Sequence, residues 1–184
     1  MRDTSAAATT AFGSDLYALP CACANVRRLA RVMTRLYDAA LKPAGLEVTQ
    51  FSLLAVLATR GEAVHGVLNR GFAMDSTTLT RTLALMTTRG WISATPGDDR
   101  RTRVYRIVAA GRRRFEQARP HWVRVQRALA AQVGAAGWTT LGHDLPAMTA
   151  SLDAVAPRRA AARRQHPARR SRRGPQTAGR AGPP

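Results

Sequence analysis

Residues 74–111, MDSTTLTRTLALMTTRGWISATPGDDRRTRVYRIVAAG, decide how the rest of the chain must be arranged. The first half has a helical period. Leu79, Leu83 and Met86 recur at i, i+4 and i+7, so they share one face, which should pack inward. Thr77, Arg81, Ala84 and Thr88 fall on the opposite face, which is small, hydroxylated and singly positive, a surface that suits a DNA groove. Asp75 or Ser76 can open the helix by accepting a backbone N–H, and Gly90 supplies the left-handed residue that often closes one. The second half reads as a hairpin. Trp91 to Thr95 and Arg103 to Ile107 are rich in aromatic and β-branched residues, and Pro96-Gly97-Asp98-Asp99-Arg100-Arg101 between them is turn chemistry with an arginine tip.

Outward from this stretch, the chain is mostly helical in period. Pro20 suits a first helical turn, and Val26, Leu29, Ala30, Met33, Leu36, Tyr37, Ala40 and Leu41 then hold one stripe in phase until Pro43-Ala44-Gly45 stops it. Thr49 is placed to cap a second helix through Arg60, with Phe51, Leu54 and Leu57 inward and Gly61 at its end. Between Val64 and Met74 the pattern weakens. Val67, Leu68 and Phe72 offer an apolar face, but Gly66 and Gly71 each cost about 1 kcal/mol relative to alanine inside a helix. A short helix held by packing is expected there. Beyond the hairpin, Ala109 to Gln132 is helical in period with Phe115, Trp122, Val125 and Leu129 inward, and Gly134 and Gly137 should break it. Leu141, Leu145, Met148, Leu152 and Val155 form a last stripe, which Pro146 either kinks or begins. The arginines Arg112, Arg113 and Arg114 open their helix at the end where its dipole favours anions. A nearby phosphate would explain them, and a solvated face is the alternative.

Composition narrows the function. A chain of 184 residues normally makes one domain of moderate core, so a second, catalytic domain is not expected. The formal net charge is +18, carried almost wholly by arginine, and it favours a polyanionic partner. No basic stretch adjoins a wide Trp/Phe/Leu face, so nucleic acid is expected before membrane. From Pro157 onward there are nine arginines and no acidic residue, so half of the excess lies in this tail. No apolar run is long enough to span a bilayer and residues 1–15 lack the apolar core of a signal peptide, so a cytoplasmic location is expected. Two cysteines, Cys21 and Cys23, are too few for a disulfide framework.

The series Thr49-Gln50-Phe51, Met74-Asp75-Ser76-Thr77-Thr78-Leu79-Thr80-Arg81, Arg89-Gly90-Trp91-Ile92, Asp98-Asp99-Arg100-Arg101 and Gly111-Arg112 resembles the multiple-antibiotic-resistance regulator (MarR) family, in order and with similar spacing over roughly residues 21–155. The resemblance implies a mainly α fold with a small β-hairpin wing, a winged helix-turn-helix whose N- and C-terminal helices form a dimer domain. On that plan residues 1–19 are an arm, 20–46 a dimerisation helix, 47–108 the DNA-binding domain, 109–156 the C-terminal dimerisation helices and 157–184 a basic tail. Carried over to matching positions, Ser76, Thr77, Thr78, Thr80 and Arg81 would face the major groove or its phosphates. Asp99 and Arg101 match an Asp-x-Arg at the wing, in which the aspartate orients the arginine toward a minor groove. Two departures stand out. Val108 replaces a threonine that caps the helix after the wing, and Gly66 and Gly71 replace better helix formers.

The residues argue for duplex DNA on their own terms as well. Arg81 can make a bidentate contact to guanine and the threonine methyls can touch thymine, while most hydroxyl contacts to DNA go to phosphate and position the protein. Thr88 lies on the same face. Arg100, Arg101 and Arg103 can enter a narrow minor groove. Against this stand a solvated helix face and a polar turn in which Asp98 and Asp99 simply pair with the arginines. A dimer would set its two recognition helices roughly 34 Å apart and so predicts a near-palindromic operator.

The controlling signal is less legible. Cys21 and Cys23 stand at a helix start, where a thiol can become reactive, with Arg27 and Arg28 further along. They read either as a redox sensor or as small core hydrophobes; two helical residues two apart point about 200° from each other, which opposes a bridge within one chain. The resemblance adds a small aromatic or anionic effector entering between the dimer and winged domains. His65, His121, His143 and His166 show no metal spacing, and no phosphate loop, nucleophile elbow or carboxylate pair is present. The expectation is a homodimeric regulator of transcription on double-stranded DNA, a repressor by family habit, with no cofactor, no metal, no membrane and no enzymatic activity. A thiol-redox enzyme using Cys21 and Cys23, and a non-specific nucleic-acid binder led by the tail, are the alternatives.

Overall fold

The computed structural model describes residues 21–155 except Asp98, Arg100 and Arg101, so the expected arm, Pro20, the basic tail and those three wing residues lie outside the described residues. The described chain is mostly helical, with one small sheet. α1 spans Ala22–Leu41 and runs through a 3-10 turn at Lys42–Ala44 into α2, Val48–Arg60. β1, Glu62–Val64, leads to α3, His65–Phe72, and α4, Ser76–Thr88. β2, Ile92–Pro96, and β3, Arg103–Ile107, form the hairpin, and α5 runs Ala109–Thr139. Residues 21–138 belong to one compact unit; from Thr139 a second unit holds a π-helical turn at Thr140–Asp144 and α6, Leu145–Val155.

The core of the first unit is built by helix faces closing over the sheet. Leu53, Leu54 and Leu57 of α2, Leu68 of α3, and Leu79, Leu83 and Met86 of α4 are essentially sealed from solvent. The expected inward faces of α2 and α4 are therefore the observed ones. α5 closes the core from the other side, where Phe115 and Trp122 meet Phe51 at ring-centroid separations of 5.1 and 5.7 Å.

Several local expectations change. The cap of α2 is Glu47, not Thr49: Glu47 and Gln50 form a reciprocal capping box, and the Val48 N–H donates to Asp38 Oδ1 of α1 at 2.7 Å. A carboxylate from the neighbouring helix thus satisfies an N–H that sequence reasoning could assign only to a local side chain. The hairpin gains a third strand, in the order β1-β3-β2, because Ala63 pairs with Tyr105 on the side of β3 away from Ala94. Trp91 belongs to the turn before β2 rather than to the strand, since its N–H donates to the Met86 carbonyl at 3.0 Å. The break expected at Gly134 is present: at φ 74° and ψ 173° it leaves helical geometry, so α5 is two helical segments meeting at a kink there, whereas Gly137 stays helical. Pro146 falls in the first turn of α6, just after the π-helical turn.

The apolar stripe of α1 divides in two. Tyr37 and Leu41 are buried at its C-terminal end, whereas Val26, Leu29 and Leu36 are 41–53% exposed. In the second unit Met148 and Leu152 of α6 are likewise exposed.

Burial pushes the Tyr37 and Tyr105 phenols above their ordinary value, with Arg103 opposing the shift at Tyr105. A raised folded-state pKa means the folded chain holds the phenolic proton more tightly than the unfolded chain does. This contribution is complete below about pH 10 and is lost as pH rises through the folded value. The urea midpoint is therefore expected to fall above about pH 10, and to fall less in Tyr37→Phe. An identical alkaline decline in that variant would remove Tyr37 from the account.

Candidate nucleic-acid interface

α4 owes its position to the two ends of its own sequence. Asp75 is extended at the N-cap, and its Oδ1 accepts from the Thr77 and Thr78 N–H groups at 2.9 and 3.2 Å. At the other end Gly90, at φ 67°, donates to the Thr87 carbonyl and Trp91 donates to the Met86 carbonyl. These two bonds are the 5→2 and 6→1 pair of a Schellman closure, with Trp91 as its buried hydrophobic residue. With Leu79, Leu83 and Met86 fixed inward, Ser76, Thr77, Thr78, Thr80, Arg81, Ala84 and Thr88 are all exposed. The expected outer face is thus displayed as a unit, although Thr88 sits about 18 Å along the helix from Ser76 at 1.5 Å per residue.

The hydroxyls are not equivalent. Thr80 Oγ1 donates to the Ser76 carbonyl at 2.7 Å and lies 3.1 Å from His65 Nε2. With the threonine proton directed at Ser76, the His65 nitrogen is the donor of that second bond. Thr82 donates to the Thr78 carbonyl within α4, and Asn69 of α3 donates to the Met74 carbonyl at 2.9 Å, bracing the turn between the two helices. His65 and Asn69 were missed as contributors by sequence reasoning. Their partners lie across a turn that no short-range pattern specifies.

At the hairpin, Arg103 is exposed at the start of β3, opposite Pro96. The Asp99 carbonyl accepts both the Thr102 N–H and the Thr102 hydroxyl at 2.8 Å, which closes the turn. The expected contact between Asp99 and Arg101 lies outside the described residues. Arg106, on the same strand, forms an ion pair with Glu62 of β1 and donates to Thr95 of β2, tying the three strands together.

Cys21 and Cys23 are both exposed, which corrects the reading of them as buried core thiols. Cys21 is the extended residue before α1, at φ −136° and ψ 116°, so the opposite-faces argument for two helical residues does not apply to this pair. Among the described residues no group of three or more His, Cys, Asp or Glu side chains is placed to hold a metal ion. No helix among them is long and apolar enough to cross a membrane. A cavity of about 540 Å³ opens beside Asp38, Lys42, Glu47, Gln50 and Arg89, between the end of α1 and the end of α4. Its rim is charged.

No protein-family model matches the sequence. Among solved structures, the transcriptional regulator MosR of M. tuberculosis in complex with DNA is 34% identical, with a TM-score of 0.66 over 74% of this chain and 99% of that one. MarR of E. coli, in its apo form, is 18% identical with a TM-score of 0.54 over 76% of this chain and 99% of its own, a likeness of fold alone. The HTH-type transcriptional regulator YwoH of Bacillus subtilis is 23% identical over 107 residues, which are 58% of this chain and 78% of that protein.

Replacing Asp75 by alanine is expected to lower stability by about 1 kcal/mol, the usual worth of an N-cap. Urea unfolding followed by circular dichroism measures this, and an unchanged midpoint would show that other groups fix the start of α4.

Proposed function

Because the chain belongs to the MarR family of winged helix-turn-helix transcriptional regulators, we propose that it binds double-stranded DNA sequence-specifically as a homodimer and represses transcription from a near-palindromic operator. The observation that carries this reading is the division of α4 into two faces. Three fully sealed side chains lock the helix down, and the surface left over presents Ser76, Thr77, Thr78 and Arg81 at its N-terminal half, beside an arginine-bearing hairpin. An α-helix fits the major groove, where Arg81 is the one long side chain on this face able to read a guanine edge. The threonines set register through phosphates, and Arg103 with Arg100 and Arg101 follows the adjoining minor groove.

The exposed apolar residues of α1 support the dimer. Val26, Leu29 and Leu36 belong to the same stripe as the buried Tyr37 and Leu41, and a second copy presenting the same stripe is the cover that such an exposed apolar face calls for. On the resemblance to the family, the N- and C-terminal helices of both copies make that interface and hold the two recognition helices about one DNA turn apart. Release from DNA would follow from a small aromatic or anionic effector or from oxidation of Cys21 and Cys23, whose exposure leaves both thiols accessible to an oxidant. Either signal acts only so far as it favours one spacing of the recognition helices over another.

Footprinting upstream of the chain's own gene, with and without peroxide, is expected to reveal a site with two half-sites one helical turn apart and to show whether oxidation clears it. On that site Arg81→Ala should lose about 1–3 kcal/mol of preference over random duplex, roughly 5- to 150-fold. An unaltered preference in a folded, paired variant would remove α4 from sequence reading.

A further inference from the structure

The start of α5 carries a concentration of positive charge that DNA reading does not use. A cavity of about 350 Å³ lies there, lined by Arg89, Trp91, Ala110, Arg113, Arg114 and Gln117. Three arginines and a glutamine are among the residues that line it, and no acidic residue is. Among the described residues none of these three arginines takes part in an ion pair.

Two of the three are held in place by contacts other than ion pairs. Arg89 and Arg114 lie 4.9 and 5.7 Å from the centroid of the buried Trp91 ring, and Arg114 also donates to the Ala44 carbonyl at 3.1 Å. The backbone adds to the same field. α5 makes its first helical bond from the Arg112 N–H to the Val108 carbonyl, so the N–H groups ahead of it face the cavity end of the helix without intrahelical acceptors. Cations at that end of a helix oppose its dipole and repel one another. An anion between them removes both penalties.

We propose that this cavity binds a small organic anion bearing at least two negative charges, a phosphate monoester or a di- or tricarboxylate, through Arg89, Arg113 and Arg114. Guanidinium forks match phosphate and carboxylate oxygens in pairs, and the volume falls within the range of metabolite-sized pockets. The position argues against a DNA phosphate as the occupant. Arg89 caps the end of α4 remote from Ser76, about 20 Å along the helix, so a duplex engaged through Ser76 to Arg81 leaves the cavity open. The occupant joins the C-terminal cap of α4 to the first two turns of α5. Its binding site therefore spans the recognition helix and the helix that follows the wing. The anion site stands on the cavity alone; its use as an effector site rests on the DNA-regulator reading above.

The test uses the full-length protein and isothermal titration with inorganic phosphate, citrate and acetate. Phosphate or citrate is expected to bind saturably at one site per chain, at least about tenfold more tightly than acetate, and whichever of the two binds identifies the source of the dianion. Arg113→Gln should weaken that binding about tenfold or more, Arg113→Lys should restore part of it, and Arg127→Gln, which removes an equal charge elsewhere on α5, should leave it unchanged. Equal losses in Arg113→Gln and Arg127→Gln, or no saturable binding, would overturn the proposal in favour of diffuse attraction to a basic chain. Weaker duplex binding by Arg113→Gln without any anion binding would overturn it too, and would assign Arg113 to DNA. Anion binding by a protein that ignores the footprinted duplex would instead sink the regulator reading and leave the site standing.

Discussion

Trp91 is the joint on which the winged unit turns. Its N–H completes the closure of α4, its carbonyl accepts the Val108 N–H at the end of β3 at 3.1 Å, and its ring carries the guanidiniums of Arg89 and Arg114. One residue thereby fixes the recognition helix, the hairpin and the first turn of α5 against one another. The approach is so close that Gly111 has no room for a Cβ, which would run into the Trp91 carbonyl oxygen. Glycine is required there by contact and not by its dihedral freedom.

The arrangement also accounts for the missing cap on α5. Val108 has no side-chain oxygen to offer the orphan N–H groups, yet its own N–H and carbonyl are both engaged, by Trp91 and by Arg112. The helix is thus seated through its backbone and through Arg114, which reaches the Ala44 carbonyl beyond α1. Part of the arginine run that looked misplaced against the helix dipole has a structural partner. Arg112 and Arg113 remain exposed.

The recognition helix was legible in the sequence because every determinant of it is local: the cap at Asp75, the i, i+4, i+7 apolar residues and Gly90 all lie within sixteen residues. The hairpin strands were legible for the same reason, to within a residue. What escaped were features owed to distant partners. β1 is three residues long and becomes a strand only by pairing with β3, and α2 begins at Val48, one residue before the expected Thr49 cap, where Asp38 of another helix takes the Val48 N–H. The exposed half of α1 was read correctly as a stripe, but a stripe does not say whether its own chain covers it. Likewise the hydroxyl face of α4 was visible, whereas the hydrogen bond from His65 to Thr80, fifteen residues apart, was not.

Ala73, between α3 and α4, stands at φ 47°, the only non-glycine residue among those described with a positive φ. An L-residue there gives up roughly 1–2 kcal/mol relative to a relaxed backbone. The bend between the two helices is accordingly an uphill geometry kept by its surroundings, with Asn69 gripping the Met74 carbonyl on one side and the leucines below on the other. Thermal agitation should therefore open this elbow before it disturbs the better-relaxed closure at Gly90, so that the helix pair loosens from its leading end while its trailing end stays anchored.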